Sequence, residues 1–205
     1  MQFSVITKIL GKQFAKLSLA ALVAGSLSLS IAYAQSAKSL PQVQFTTNMG
    51  QFTVELEPEK APKTVANFLA YVNSGFYTGT IFHRVINGFM VQGGGFTKEL
   101  VQKPTRAPIP IESDNGLKNT KYSIAMARTS DPNSATAQFF VNVKDNAMLD
   151  YPSRDGFGYT VFGRVVAGME TIDNIKFVDT NVHIPTRMSD VPVKAIVIES
   201  AKVIK

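Results

Sequence analysis

The 205-residue chain contains no cysteine and no tryptophan, and its only histidines are His83 and His183. Without thiolates there is no disulfide scaffold, no thiol nucleophile, no zinc finger and no iron–sulfur cluster. Two imidazoles fall short of the usual metal site, so neither a metal nor a cofactor is expected. Acidic residues are missing from the first 34 positions, which carry Lys8, Lys12 and Lys16. That segment has a lysine-bearing start, an apolar stretch from about Leu17 to Ile31, and Ala32-Tyr33-Ala34 in an A-x-A pattern. Those are the parts of a secretory signal peptide. The other reading is a membrane anchor, but Gly25, Ser26, Ser28 and Ser30 interrupt the apolar stretch, which is shorter than the about 20 residues a span needs. Cleavage after Ala34 is expected. The mature chain then runs from Gln35, is exported, most simply to a bacterial periplasm, and keeps no stable membrane association. Taking the three leader lysines from 21 Lys+Arg leaves 18 against 15 Asp+Glu, so the formal charge falls from +6 to +3. With no Lys/Arg cluster there is no case for nucleic-acid binding.

The full chain is 45% apolar, 18% charged and rich in Phe, with 14 of them. Residues 35–205 are enough for one domain with one core, and nothing in them demands more than a monomer. Gln42 to Thr47 and Gln51 to Glu57 alternate as strands around Asn48-Met49-Gly50, which predicts an opening hairpin. Pro62 starts a helix whose buried stripe is Val65, Phe68, Leu69 and Val72, and Gly75 stands where it should stop. Strand-length apolar runs follow at Ile81 to Ile86, Phe89 to Gly93, Tyr122 to Ala127, Gln138 to Val143 and Thr160 to Val166. A second helix is predicted over Met169 to Phe177 and a closing strand over Val193 to Ile204.

About eight strands and two helices, without regular β-helix-β alternation, predict a mainly β fold: a closed eight-stranded antiparallel barrel with helices capping its ends. Eight strands enclose a space that side chains just fill, so a binding site belongs on the outer face or in a loop-walled groove. The connection from about Thr97 to Lys121 holds Pro104, Pro108 and Pro110, and its length marks it as functional or as a surface wrap.

The densest local signal is Phe82-His83-Arg84-Val85-Ile86-Asn87-Gly88-Phe89-Met90-Val91-Gln92-Gly93-Gly94-Gly95-Phe96. The glycines do not cradle phosphate, because no Gly-Lys-Ser/Thr follows and no helix opens after them. Met90 and Gln92 share a strand face by alternation, as do Gln138 and Phe140, while His83 lies on the face opposite Arg84 and reads as structural. Arg84 taken alone would be an ordinary surface cation. Its surroundings reverse that reading.

The segment resembles the signature of cyclophilin-type peptidyl-prolyl cis-trans isomerases. The likeness runs from about Val43 to the C-terminus through Ser123-Ile124-Ala125-Met126-Ala127-Arg128, Ala137-Gln138-Phe139-Phe140-Val141-Asn142 and Gly158-Tyr159-Thr160-Val161-Phe162-Gly163-Arg164-Val165. Bacterial periplasmic members are the most similar. The resemblance implies an eight-stranded barrel capped by two helices, in agreement with the count above. It also implies a slot for the proline ring at Phe89, Met90, Phe140 and Leu149. Arg84 becomes the catalytic donor, with Gln92 orienting it and binding the substrate carbonyl and Gln138 beside Gln92. Ala127-Arg128 resembles the edge that pairs with substrate backbone, a main-chain role that Arg128, where many relatives carry Asn, leaves intact. Phe139 and Phe162 read as barrel interior.

Two further positions complete the expected site. Met148 stands where drug-binding members have Trp, which implies weak cyclosporin sensitivity. Tyr159 occupies a position often held by His, so no imidazole acid or base is implied there. Asn87 replaces a proline common in the motif, and a turn accepts either. The implied partners are proline-containing segments of exported proteins. A proline-binding module or holdase would need only the slot; the presence of both Arg84 and Gln92 favours turnover. A small-molecule carrier barrel is opposed by the Phe-dense core.

Overall fold

The computed structural model describes residues 39–205, so the expected leader and its cleavage point after Ala34 lie outside the described residues. Eight strands close into one antiparallel barrel: β1 (Gln42–Thr47), β2 (Gly50–Leu56), β3 (Thr80–Ile86), β4 (Met90–Thr97), β5 (Ser123–Met126), β6 (Phe139–Asn142), β7 (Val161–Ala167) and β10 (Ile196–Val203). Around the barrel they follow the order β1, β10, β3, β4, β6, β5, β7, β2. The helices are α1 (Pro62–Asn73) and α2 (Met169–Ile175).

Alternation places the side chains as the sequence predicts. Val43, Phe45 and Thr47 of β1 point inward and are buried, with Gln42, Gln44 and Thr46 between them on the outer face. Phe45, Phe52, Phe68, Phe82, Phe139, Phe162 and Tyr77 meet inside the barrel with almost no exposure. Their rings lie in contact, 4.9 Å between Phe45 and Phe52 and 5.0 Å between Phe68 and Phe162. Phe139 and Phe162 are therefore interior residues, as expected, and the filled interior leaves any ligand only the outer face.

Helix α1 begins at Pro62 behind Ala61, which has no side chain able to cap it. The cap comes from Glu112 in the long proline-rich connection. Its carboxylate accepts the backbone N–H of Lys63 at 3.1 Å and of Thr64 at 2.9 Å, and the Thr64 hydroxyl at 2.7 Å. A carboxylate at a helix N-terminus satisfies orphan amides and opposes the helix dipole. The connection also bonds the Arg106 amide to the Tyr71 hydroxyl and the Asn115 side chain to the Val161 carbonyl, so it wraps the surface as its length suggested.

One element escaped the sequence reading. β8 (Thr180–His183) and β9 (Met188–Pro192) form a two-stranded hairpin separate from the barrel sheet. It packs outside β3 through an apolar cluster of Ile81, Leu100 and Val191, flanked by Phe96 and Met188. Its strands are short and partly polar, so tertiary contact rather than periodicity holds them in place. Most boundaries shift by a residue, and three move further. β4 runs on to Thr97 rather than stopping at Gly93, β10 starts at Ile196 rather than Val193, and α2 ends at Ile175, leaving Phe177 exposed.

Candidate active site

In β4 and β6 the inward side chains, Val91, Phe139 and Val141, belong to the barrel core. Their neighbours Met90 and Phe140 must face out, yet both are buried, at 2% and 4% exposure. A second apolar cluster covers them, built from Met90, Ala125, Phe140 and Val161 with Phe89, Ala127, Leu149 and Tyr159 packed on top. The result is an open groove of about 140 Å³ on the outer wall, lined by Arg84, Phe89, Met90, Gln92, Ala127, Arg128, Phe140, Leu149 and Tyr159. These are nine of the eleven expected site residues. Gln138 stands behind Gln92, and Met148 lies on a 3-10 turn (Ala147–Leu149), 59% exposed and outside the groove lining.

Strand pairing brings the polar groups to the apolar ones. Arg84 of β3 lies opposite Gln92 of β4, which lies opposite Phe140 of β6. The Gln92 side-chain nitrogen donates to Gln138 Oε1 at 3.0 Å, and among the described residues no hydrogen bond joins Gln92 to Arg84. The third glycine of the motif makes this possible. A Cβ on Gly95 would come within 2.4 Å of Gln138 Cγ, so only a bare α-carbon leaves room for that glutamine. Gly93 and Gly94 make room instead for Phe82, Phe139 and Tyr77 of the interior, so the triple glycine serves close packing on both faces of the wall.

The far wall hangs on a buried amide network. Asn142 donates to Asn119 Oδ1 at 3.1 Å and to the Ser123 hydroxyl at 2.9 Å, while Asn146 donates to Asn142 Oδ1 at 2.7 Å and to the Phe89 carbonyl at 2.8 Å. The bonds tie the Asn119 and Asn146 segments and the Phe89 turn to β5 and β6 beneath the slot. Leu149 and Tyr159 are tied together by the Tyr159 amide on the Leu149 carbonyl at 2.9 Å, and the Phe140 and Tyr159 rings meet edge to face at 5.6 Å.

Arg128 does more than lend its backbone. Its side chain is only 3% exposed, ion-pairs with Asp155, donates from Nε and Nη2 to the Gly158 carbonyl at 3.0 and 2.8 Å, and stacks under Tyr159 at 4.5 Å. This fork staples the loop carrying Tyr159 to the end of β5. The Arg128 guanidinium, together with the Phe157 and Gly158 amides, holds the Asp155 carboxyl well below its usual range. The Ala127 amide is already donated to the Gln138 carbonyl at 3.0 Å. Among the described residues no hydrogen bond engages the Arg128 main chain, which is free to meet an extended peptide.

His83, on the opposite face, is 3% exposed and rests on Phe96 at 4.6 Å with its Nδ1 unpartnered. Burial lowers its pKa to about 4; the Ile81 backbone opposes this and the Arg84 charge adds to it. It is a structural histidine, as expected. The sequence reading missed Asp155, the asparagine network and Asp190, whose Oδ2 lies 3.7 Å from Arg84 Nε. None of these carries a local signal, because each meets its partner only through the fold. No cluster of His, Cys, Asp or Glu able to hold a metal occurs among the described residues. No helix among them is long and apolar enough to cross a membrane.

The chain matches the family model for cyclophilin type peptidyl-prolyl cis-trans isomerases over residues 42–203. It is 57% identical over 164 residues to the isomerase cyp18 of Streptomyces antibioticus, covering 79% of this chain and 98% of that one. It is 55% identical over 170 residues to peptidyl-prolyl cis-trans isomerase A of Dickeya dadantii, covering 83% and 88%. Among solved structures, a cyclophilin-type isomerase of Cryptosporidium parvum superposes with a TM-score of 0.67 at 27% identity, over 81% of this chain and 98% of that one. A second structure of the same protein, in the presence of the dipeptide Ala-Pro, gives 0.65 at 28% identity, over 80% and 99%. With the motif residues gathered at one groove on the outer wall of a filled barrel, the chain belongs to the cyclophilin family and is a peptidyl-prolyl cis-trans isomerase that acts on proline-containing peptides.

Proposed function

We propose that Arg84 performs the isomerisation by binding the twisted amide selectively. Resonance holds an X–Pro bond planar behind a barrier of about 18–20 kcal/mol, so the uncatalysed flip takes on the order of 10–100 s. Halfway round, conjugation is lost and the prolyl nitrogen regains a localised lone pair. It then accepts a hydrogen bond that neither planar ground state can accept. A donor aimed there stabilises the transition state alone, which is the condition for raising kcat. A guanidinium suits the task because it stays charged and offers five donors on a rigid frame.

The observation that carries this reading is that Arg84 lines the same groove as Phe140 and Leu149. Phe89, Met90, Phe140 and Leu149 take the pyrrolidine ring, Gln92 meets the substrate carbonyl, and the Ala127–Arg128 edge holds the chain. An acceleration of roughly five decades requires about 7 kcal/mol at 1.36 per decade. One hydrogen bond to a charged group supplies about 1.5–3 kcal/mol. An apolar, partly dry groove that strengthens this bond, with the substrate ends anchored so that their binding favours the twist, supplies the rest. Exchange NMR on a short Xaa-Pro peptide tests the donor: Arg84→Ala should lose one to two decades of kcat, and wild-type kcat in that variant would overturn the mechanism.

The substrates are proline segments of exported polypeptides, met by a monomer in the periplasm. The lysine-bearing, apolar, A-x-A-terminated start of the chain supports that address. Mass spectrometry of the exported protein should find Gln35 at its N-terminus, and an uncleaved protein or one retained inside the cell would refute it.

A further inference from the structure

Arg84 is long and rich in rotamers, and its side chain is 41% exposed on the outer wall. Its cross-strand neighbour Gln92 is engaged with Gln138. Among the described residues, the one carboxylate within ion-pair distance of Arg84 is that of Asp190, with Oδ2 3.7 Å from Nε. Asp190 comes from β9, outside the barrel, and two features of the hairpin deliver it there. Next to it, Val191 is buried at 9% in the cluster with Ile81 and Leu100, and Ile81 lies on the strand that bears Arg84. Asp190 itself has φ of 60°, a left-handed conformation that Asp and Asn accept more readily than other residues. A backbone held in a sparsely populated region beside a reactive group invites a functional reading.

We propose that Asp190 is a positioning residue: it faces the Nε edge of the Arg84 guanidinium, leaving the four Nη hydrogens for the groove. The inference rests on Arg84 being the donor to the prolyl nitrogen. A carboxylate could instead compete with substrate for the guanidinium, but 3.7 Å is longer than a hydrogen bond, so no donor is consumed. Both side chains are more than a third exposed, 41% and 36%, so the attraction is modest and its effect is to narrow the orientations of Arg84. The hairpin then has a purpose in the chemistry although it adds no strand to the closed barrel.

The test is a double-mutant cycle read by exchange NMR on an Ala-Pro tetrapeptide at several concentrations, which separates kcat from KM. Asp190→Asn keeps the left-handed backbone accessible and should lower kcat about twofold to fivefold, the range of exposed ion pairs, with KM within twofold. The Arg84 Nε–H resonance should broaden, and Asp190→Glu should recover part of kcat. Added to Arg84→Ala, Asp190→Asn should cost nothing further. An equal loss in both backgrounds would make Asp190 a structural residue, and an unchanged kcat in Asp190→Asn beside a severe loss in Arg84→Ala would also overturn the proposal. Wild-type kcat in Arg84→Ala would instead remove the donor reading on which it rests.

Discussion

His83 makes the protein's acid stability depend on one buried ring. It is held neutral inside the fold, with a pKa lowered from 6.5 to about 4, chiefly because burial penalises its charged form. An unfolded chain binds a proton there below about pH 6.5, whereas the folded chain does not until about pH 4. Protons therefore favour the unfolded state throughout that window, and stability falls as pH falls. Two and a half pH units at 1.36 kcal/mol each give about 3 kcal/mol in full, of which about 2 kcal/mol is lost between pH 7 and pH 5. Carboxylates such as Asp155, whose ordinary value is 3.8 and which is held lower still, lose their contribution only in more acid solution. Urea unfolding followed by circular dichroism, at half-unit steps from pH 7 to pH 5, measures the effect. In His83→Phe, which keeps the contact with Phe96 and has no proton to bind, the decline should be about 2 kcal/mol shallower. His183 is retained in both proteins and cancels in the difference. Parallel pH profiles for the two proteins would refute the assignment, and a steeper decline in the variant would reverse its sign.

Other substitutions test the groove and its support. Gly158 has φ of 72°, and a Cβ there would sit 2.7 Å from the Tyr151 nitrogen and 2.8 Å from the Leu149 carbonyl oxygen. Gly158→Ala should cost about 1–3 kcal/mol and raise KM by displacing Leu149 and Tyr159, with thermal melts and peptide kinetics as the measurements. Arg128→Met removes the staple and leaves the Gly158 carbonyl and Asp155 without their partner, so KM should rise and stability fall by about 2 kcal/mol; Arg128→Lys should not rescue it, because an ammonium lacks the fork. Phe162→Ala opens the fully buried barrel interior and should cost about 3–5 kcal/mol in urea unfolding, while the folded fraction keeps its kcat/KM.

The barrel was legible because its strands obey the simplest rule in the chain. A filled eight-stranded barrel needs alternating apolar side chains, and Val43-Gln44-Phe45 and Val91-Gln92-Gly93 carry that pattern in plain view. The slot residues were named by the family resemblance alone; it is the structure that puts Met90 and Phe140 on the outward phase of two strands and yet buries them. Such a violation of alternation marks a surface that something else covers. The accessory hairpin was not legible, since its short polar strands gain their stability from Ile81 and Leu100 on other elements. For Gln92 the alternation gave the face, while its neighbour Gln138 came from the resemblance and the bond between them from the fold.

By itself, then, the order of residues determined the strand phases, the two helices and the identity of Arg84 as the notable cation, because these depend on periodicity and on side-chain chemistry within a few positions. The closed barrel decided which distant groups surround that cation. Asp190 beside it, Glu112 on the end of α1 and Asp155 locked to Arg128 are each brought together by packing across the chain. An isolated ion pair or cap leaves no periodic trace in a sequence, since its energy depends on separation in space and on solvent exposure, and both are set only when the chain has folded.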